Sequence, residues 1–226
     1  MKVISAEFVT SAAAGGGTAG IPRDGLPQIA LAGRSNVGKS TLLNALGRKK
    51  IARTSAAPGK TRLANIYRLT VEGGGPGTWS LYFVDLPGYG YVRGGADSAA
   101  ELKAVAEAYF ADRSSQFAAR SSNDHGELPN RDARTANRGV ALLLVDSRHP
   151  GLDSDRQAAR WLASMNVTYR LVATKIDKLS RTERARNLKA LEISSGMPPL
   201  ALSAASGEGL DALWTTIASL VRTGHA

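Results

Sequence analysis

Residues 33–40 read G-R-S-N-V-G-K-S, and no other stretch restricts so strongly what this chain can fold into. An apolar run precedes them at 28–32, and a leucine-containing run at 41–46 predicts the opening of a helix. A strand, a glycine-rich loop and a helix in this order form the context in which the pattern G-x-x-x-x-G-K-[ST] binds phosphate. The sequence therefore predicts a phosphate loop at residues 33–40.

The residue types of the phosphate loop suit a bound triphosphate. Gly33 and Gly38 let the backbone turn its N–H groups inward, and the following helix adds the positive end of its dipole. Lys39 supplies a charge for the β- and γ-phosphates, and the Ser40 hydroxyl can ligate Mg²⁺. The other members of the loop are Arg34, Ser35, Asn36 and Val37.

Composition narrows the class of protein. The 226 residues suit one α/β domain with some decoration, and the chain has no cysteine for disulfide or thiol chemistry. No apolar run is long enough for a transmembrane helix, and the N-terminus lacks the pattern of a secretory signal. We therefore expect a cytoplasmic protein. The net charge of +10 favours a polyanionic partner such as nucleic acid or a ribonucleoprotein.

Apolar runs alternate with amphipathic runs along most of the chain. Strands are predicted at 28–32, 62–71, 79–84, 139–146, 169–174 and 199–202, and helices at 39–47, 97–111, 152–165, 180–193 and 209–221. This alternation predicts an α/β fold in which helices cover both faces of a mainly parallel, six-stranded sheet, a three-layer αβα arrangement. The ligand is then expected at the carboxyl ends of the strands.

The chain is expected to contain one domain with a leading extension. Residues 1–27 are interpreted as an N-terminal extension that has a strand-like run and a flexible Gly/Ala connector. The domain itself spans 28–222, and 223–226 form a tail. Within the domain, 112–138 are rich in Ser, Asn, Asp, Arg and Gly, which indicates a mobile surface insertion.

Two further loops carry groups suited to the phosphate end of a nucleotide. The hydroxyl of Thr61 can complete the coordination of Mg²⁺ once a γ-phosphate is present. Asp85, at the end of a predicted strand, can hold Mg²⁺ directly or through water. Gly88 lets a backbone N–H approach the γ-phosphate and gives this loop freedom to switch.

Two later loops carry groups that can distinguish the base of a bound nucleotide. Asp177, in the T-K-I-D segment 174–177, can accept hydrogen bonds from N1 and N2 of guanine. Adenine has no donors at those positions, so a buried carboxylate there would reject ATP. Lys175 can lay its stem along the base, and a backbone N–H within 202–204 can meet guanine O6.

In this order the motifs resemble the signature of the Ras-like translation-factor class of GTPases, and their details resemble one family, the YihA/EngB (YsxC) GTPases of the TrmE-Era-EngA-EngB-septin class. The similar segments are 26–40, 52–61, 83–91, 145–149 and 173–178. Threonine at 174, where asparagine is commoner among GTPases, agrees with this family. The resemblance covers about residues 23–222 apart from the 112–138 insertion, so 28–222 is expected to be an EngB-type G domain.

The resemblance implies a cytoplasmic GTPase that binds GTP and GDP, uses Mg²⁺, and assists maturation of the large ribosomal subunit. We also expect the chain to be a monomer. It also implies a requirement in normal cell division and septation, with the large-subunit precursor, rRNA and proteins together, as partner. The GTP contacts it implies are Gly33, Arg34, Ser35, Asn36, Val37, Gly38, Lys39, Ser40, Gly59, Lys60, Thr61, Arg62, Leu63, Asp85, Leu86, Pro87, Gly88, Thr174, Lys175, Ile176, Asp177, Leu202, Ser203 and Ala204. Ser40 and Thr61 would bind Mg²⁺, Asp85 directly or through water, and Lys39, Thr61 and Gly88 would be catalytic.

One residue departs from the Ras pattern. Position 89 is where Ras-type GTPases place the glutamine that orients the attacking water, and Tyr89 cannot do this in the same way. We therefore expect slow intrinsic hydrolysis, on the order of 10⁻⁴ to 10⁻³ s⁻¹ as in unstimulated small GTPases. A partner or a monovalent cation would supply the missing charge. Related GTPases hold K⁺ with an asparagine at the position of Asn36, which makes Asn36 a candidate K⁺ ligand.

The loops 48–62 and 85–95 are predicted to be the two switches, ordered by Mg²⁺ and γ-phosphate. Their basic residues can touch rRNA phosphates only when the loops are ordered. These residues are Arg48, Lys49, Lys50, Arg53, Lys60, Arg62 and Arg93. A GTP-binding scaffold with vestigial hydrolysis, acting on septation or another RNA partner, remains an open alternative.

Overall fold

The computed structural model describes residues 1–12, 20–52, 63–74, 77–89, 103–111 and 139–223. The strands are β1 (Lys2–Ala12), β2 (Gln28–Gly33), β3 (Ala64–Glu72), β4 (Thr78–Asp85), β5 (Val140–Asp146), β6 (Thr168–Thr174) and β7 (Leu200–Ala201). The helices are α1 (Lys39–Gly47), α2 (103–111), α3 (Asp153–Ser164), α4 (Arg181–Ser195) and α5 (Leu210–Thr223), and Ile176–Lys178 form a 3₁₀ turn. The expected insertion at 112–138 lies outside the described residues.

The strands form one sheet in the order β1-β3-β4-β2-β5-β6-β7. β2 lies between β4 and β5 and is parallel to both, and β6 and β7 continue the parallel part. β3 is antiparallel to β1 and to β4. The prediction of a mainly parallel α/β sheet is therefore confirmed.

Within the described residues the sheet has seven strands rather than the six expected, because the N-terminal run joins it as β1. β1 pairs with β3 along its whole length, from Lys2 opposite Glu72 to Ala12 opposite Ala64. Most side chains of β1 are exposed, so this strand-like run shows no continuous apolar face that would assign it to the sheet. Backbone pairing with the edge of β3, which a sequence pattern does not display, accounts for the extra strand.

Two apolar clusters cover the two faces of the sheet. Alternate residues of β5 point to opposite faces, so Leu142 and Leu144 join one cluster while Leu143 and Val145 join the other. The first cluster includes leucines of α1 and the α5 residue Trp214. The second includes residues of α2, α3 and α4. These two clusters make the three-layer arrangement that the sequence predicts.

Local signals account for where the helices begin and end. α4 begins with a capping box: the Glu183 N–H donates to Ser180 Oγ, and the Ser180 N–H donates to Glu183 Oε2. It ends at Gly196, whose φ of +73° is the left-handed conformation that glycine adopts without strain. Within the residues described, no helix combines the length and apolar character needed to cross a membrane.

Two glycines with positive φ allow a matched test of how β7 and α5 pack. A Cβ atom at Gly196 would meet no described atom within 4 Å, whereas one at Gly209 would overlap the carbonyl oxygen of Ala201. Both glycines have positive φ, +73° and +83°. We expect Gly196→Ala to lower the free energy of unfolding by about 1 kcal/mol and Gly209→Ala to lower it by about 3 kcal/mol. Urea denaturation measures both, and equal losses would contradict the close approach at Gly209.

Candidate functional site

The phosphate loop leaves β2 at Gly33 and enters α1 at Lys39. A Cβ atom at Gly33 would lie 2.8 Å from Val37 Cγ1 and 2.9 Å from the Leu144 carbonyl oxygen. The start of the loop therefore packs closely against its own Val37 and against β5. Gly38 has a φ of +117°, and among the described residues no side chain caps the first turn of α1. The N–H groups of that turn can therefore bind an anion.

The buried side chains of Lys39 and Asp85 meet the half-buried Ser40 at the start of α1. The Lys39 ammonium donates to the Gly33 carbonyl oxygen at 3.2 Å, and the Ser40 hydroxyl donates to Asp85 Oδ2 at 3.4 Å. Burial lowers the pKa of Lys39, and the negative charge of Asp85 opposes this shift. Burial raises the pKa of Asp85, and this shift is opposed by the charge of Lys39 and by the hydrogen bond from Ser40. Each charge therefore favours the ionised form of the other, although both groups are buried.

The same cluster offers oxygen ligands for a metal ion. Asp85 Oδ1 is buried and has no hydrogen-bond partner among the described residues. Carboxylate and hydroxyl oxygens are the ligands that Mg²⁺ accepts, commonly with phosphate oxygens and water. In the described part of the chain no group of three or more His, Cys, Asp and Glu side chains could hold a metal ion by itself. The residues therefore fit a magnesium ion that shares its ligands with a phosphate.

The segment after β4 lies beside the phosphate loop, as the sequence predicts. The Leu86 N–H donates to the Leu31 carbonyl oxygen at 3.1 Å, which continues the pairing of β4 with β2. A Cβ atom at Gly88 would lie 2.7 Å from the Ser35 nitrogen and 3.0 Å from Lys39 Nζ. Only a residue without a side chain fits this close to both groups.

At the other end of the site, Asp177 and Ser203 meet. The Ser203 hydroxyl donates to Asp177 Oδ1 at 2.6 Å, and this hydrogen bond holds the pKa of Asp177 below its usual range. The Ile176 N–H donates to the Leu202 carbonyl oxygen at 3.3 Å, which joins the two loops. A carboxylate that stays ionised is the acceptor that the two guanine donors require.

Thr174 and Lys175 hold the two ends of the site together. The Thr174 hydroxyl lies 2.8 Å from the Val37 carbonyl oxygen and 3.0 Å from that of Val145. The Lys175 ammonium donates to the Asn36 carbonyl oxygen at 2.7 Å. Both side chains therefore tie the phosphate loop to the loop that carries Asp177.

Asp146 is a site residue to which the sequence analysis gives no role. It ends β5, and its Oδ2 accepts hydrogen bonds from the Lys175 ammonium at 2.9 Å and from the Arg148 guanidinium at 2.7 Å. Burial acts to raise the pKa of Asp146, but the hydrogen bonds from Arg148 and Lys175 outweigh it and leave the pKa well below its usual value. Its position at a strand end, like that of Asp85, was the signal that could have identified it.

Apart from Leu63, the sequence-predicted residues that the structure describes lie at or just after the carboxyl ends of four parallel strands. Those on β2, β4, β6 and β7 are residues 33–40, 85–88, 174–177 and 202–204. Gly59, Lys60, Thr61 and Arg62 lie outside the described residues, and Leu63 is exposed. The outer parts of the two expected switches, 53–62 and 90–95, also lie outside them.

Comparison with known proteins gives a consistent result. The family model described as "50S ribosome-binding GTPase" matches residues 28–175. The "Probable GTP-binding protein EngB" of Solibacter usitatus is 37% identical over 98% of this chain and 99% of that protein. The protein of the same name from Pelotomaculum thermopropionicum is 38% identical over 96% of each chain.

Solved structures support the fold. Aquifex aeolicus Era, in a variant bound to GDP·AlF₄⁻, aligns with a TM-score of 0.62 at 21% identity and covers 86% of this chain. This chain spans 56% of that Era chain. A crystal structure of a probable GTP-binding protein EngB aligns with a TM-score of 0.55 at 21% identity, over 87% of this chain and 99% of the other.

The placement of Asp177 predicts a change of base preference. In Asp177→Asn, the side-chain amide no longer accepts from both guanine donors but can donate to the 2-oxygen of xanthine. We expect the affinity for GDP to fall on the order of 100-fold and the affinity for XDP to rise. Fluorescent nucleotide titration measures both. Asp153→Asn, at an exposed aspartate of α3, is the control, and unchanged GDP affinity in Asp177→Asn would contradict the assigned role.

Proposed function

This chain belongs to the EngB family of GTP-binding proteins, and we propose that it is a GTP-hydrolysing switch that assists assembly of the large ribosomal subunit. By the same proposal it acts in the cytoplasm as a monomer and is required for normal cell division and septation. The observation that carries the switch is the cluster of buried Lys39 and Asp85 with the half-buried Ser40, beside Gly88. Such a cluster can respond to the presence or absence of a terminal phosphate.

At the phosphate end, Lys39 and the N–H groups at the start of α1 would bind the β- and γ-phosphates. Ser40 and Thr61 would hold Mg²⁺, with Asp85 binding it directly or through water. When bound, Mg²⁺ neutralises charge on the phosphate oxygens. The buried Asp85 Oδ1, which lacks a hydrogen-bond partner among the described residues, supports this assignment. Gly88 would donate its N–H to the γ-phosphate.

At the base end, Asp177 would accept from guanine N1 and N2, and a backbone N–H of 202–204 would reach guanine O6. The hydrogen bond from Ser203 supports this because it fixes the orientation of the Asp177 carboxylate. Lys175 would still offer its stem to the base while its ammonium holds the phosphate loop. Recognition of guanine would thus be linked mechanically to the shape of the phosphate loop.

Hydrolysis on this chain needs a group that position 89 does not supply. The Tyr89 hydroxyl donates to Asp155 Oδ1 at 3.2 Å, and burial, with Asp155 adding to it, raises the pKa of Tyr89. A phenol held in this way neither orients an attacking water nor accepts its proton. We therefore keep the proposal of a slow intrinsic rate that an external charge accelerates.

One candidate for that charge is K⁺ held beside Asn36. Asn36 lies in the phosphate loop with a φ of +61°, and Lys175 already holds its carbonyl oxygen. We expect GTP hydrolysis to be about tenfold faster in KCl than in NaCl of equal ionic strength, since one well-placed positive charge is worth at least that much. Phosphate release measures the rates, and Asn36→Ala is expected to remove the difference. Equal rates in both salts for the unaltered chain would contradict a potassium site.

The proposal of a ribosomal partner has two supports. The family model that matches this chain is described as a ribosome-binding GTPase, and the chain carries a net charge of +10. Exposed basic residues follow α1 directly, at the start of the first expected switch, and they are Arg48, Lys49 and Lys50. Contacts of such residues with rRNA phosphates would be sensitive to salt.

Sedimentation with separated ribosomal subunits tests this partner. We expect the chain to pellet with large subunits in a non-hydrolysable GTP analogue and to stay in the supernatant with GDP or without nucleotide. Lys39→Ala, which removes the charge for the terminal phosphates, is expected to abolish the response to nucleotide. Binding that is the same in all three conditions, or that favours the small subunit, would overturn the proposal.

A second candidate function follows from the tyrosine at position 89. If hydrolysis is vestigial, the chain acts as a GTP-binding scaffold on septation or on another RNA partner. The Tyr89–Asp155 hydrogen bond favours this reading because it withdraws the side chain from catalysis. Multiple-turnover phosphate release that large subunits stimulate supports the switch, and nucleotide binding without any stimulated turnover supports the scaffold.

A further inference from the structure

The chain after Gly88 runs along the phosphate loop. Tyr89 forms a parallel bridge with Arg34, and its carbonyl oxygen accepts from the Ser35 N–H at 3.1 Å. The Ser35 hydroxyl also donates to the Gly88 carbonyl oxygen at 3.5 Å. Two consecutive residues of the expected second switch are therefore hydrogen-bonded to the phosphate loop.

This pairing brings Gly88 against the ammonium group of Lys39. A Cβ atom at Gly88 would lie 3.0 Å from Lys39 Nζ, and that ammonium donates back to the Gly33 carbonyl oxygen. The motif assigns Lys39 to the β- and γ-phosphates. A terminal phosphate on this ammonium therefore competes with Gly88 for the space beside Ser35 and Lys39.

A hydrogen bond between Tyr89 and the distant residue Asp155 stabilises the position of Gly88 against Lys39. The Tyr89 hydroxyl donates to Oδ1 of Asp155, which lies in the first turn of α3 and is 6% exposed. Asp155 Oδ2 has no hydrogen-bond partner among the described residues. Burial raises the pKa of Asp155, and the Tyr89 hydrogen bond together with the nearby Arg34 charge opposes this.

If Tyr89 moves away, this buried carboxylate loses its hydroxyl donor. A buried acceptor that loses its partner keeps the desolvation cost without the compensating bond. The contact between Tyr89 and Asp155 therefore favours the arrangement in which Gly88 lies against Lys39, and it opposes any arrangement that moves Gly88 outward.

We propose that Asp155 is a positioning residue that acts through Tyr89: it holds Gly88 in the space next to the terminal phosphate and so favours GDP over GTP. This rests on the proposed function, since it takes Lys39 and Gly88 to be neighbours of the γ-phosphate. A ligand shifts such an equilibrium only by its difference in affinity for the two arrangements. Weakening the Tyr89–Asp155 contact therefore changes the ratio of the two nucleotide affinities rather than both affinities together.

The test uses the full chain and the variants Tyr89→Phe, Asp155→Asn and the double variant. The dissociation constants for GDP and for a non-hydrolysable GTP analogue are measured with fluorescent nucleotides and Mg²⁺. We expect Tyr89→Phe to lower the ratio of the GTP-analogue constant to the GDP constant about 3- to 10-fold, the size of a typical intramolecular hydrogen bond. Asp155→Asn is expected to lower it in the same direction, and the double variant no further than Tyr89→Phe alone.

The control is Tyr169→Phe, which removes a hydroxyl from a β6 tyrosine that lines the same cavity as Asp155. Its ratio is expected to match that of the unaltered chain. A ratio that does not move in Tyr89→Phe, equal weakening of both nucleotides, or additive effects in the double variant would each overturn the proposal. Failure of the unaltered chain to bind either nucleotide would contradict the proposed function instead.

Discussion

The structure keeps an ammonium group and a carboxylate away from water at the end of one sheet. Removing either charge from solvent costs several kcal/mol, and a nearby opposite charge recovers only part of that cost. Lys39 and Asp85 shift each other's pKa in compensating directions, yet Asp85 Oδ1 keeps no hydrogen-bond partner within the described chain. The apolar packing of β2 and α1 holds this unfavourable arrangement, so a bound nucleotide with its metal ion would relieve part of the cost.

The two ends of the site are joined by protein contacts rather than by the ligand alone. Thr174 and Lys175 come from β6 and the turn after it, and both hydrogen-bond to carbonyl oxygens of the phosphate loop. Asp146 at the end of β5 then holds the Lys175 ammonium. Because three neighbouring strands fix one loop, a displacement at the base end is transmitted to the phosphate end through short, directional contacts.

Most of the strands and most of the candidate site residues could be predicted from the sequence. The apolar runs that became β2, β5 and β6 are typical of strands buried on both faces, and the loops that follow them carry the charged residues. Short motifs that follow predicted strands are enough to identify the phosphate loop, Asp85, Gly88 and Asp177 as candidate site residues. Each of these features is recognisable from a stretch of about ten residues.

The features that the sequence did not reveal depend on contacts between distant residues. The N-terminal run is strand-like in sequence, but its place in the sheet depends on pairing with the edge of β3, and most of its side chains are exposed. Tyr89 and Asp155 are 66 residues apart, and no local pattern links them. Lys175 was expected at the base alone, but its ammonium reaches the phosphate loop because β6 lies beside β5 in the sheet.

The edge formed by β1 has a consequence for how copies of this protein meet. The register of β1 against β3 shifts between Val3 and Ser5 and again between Phe8 and Thr10. Each shift interrupts the regular spacing of backbone donors and acceptors along the outer side of the strand. An incoming strand from another molecule would find only short stretches that it could match, so this side of the sheet resists edge-to-edge association at high protein concentration.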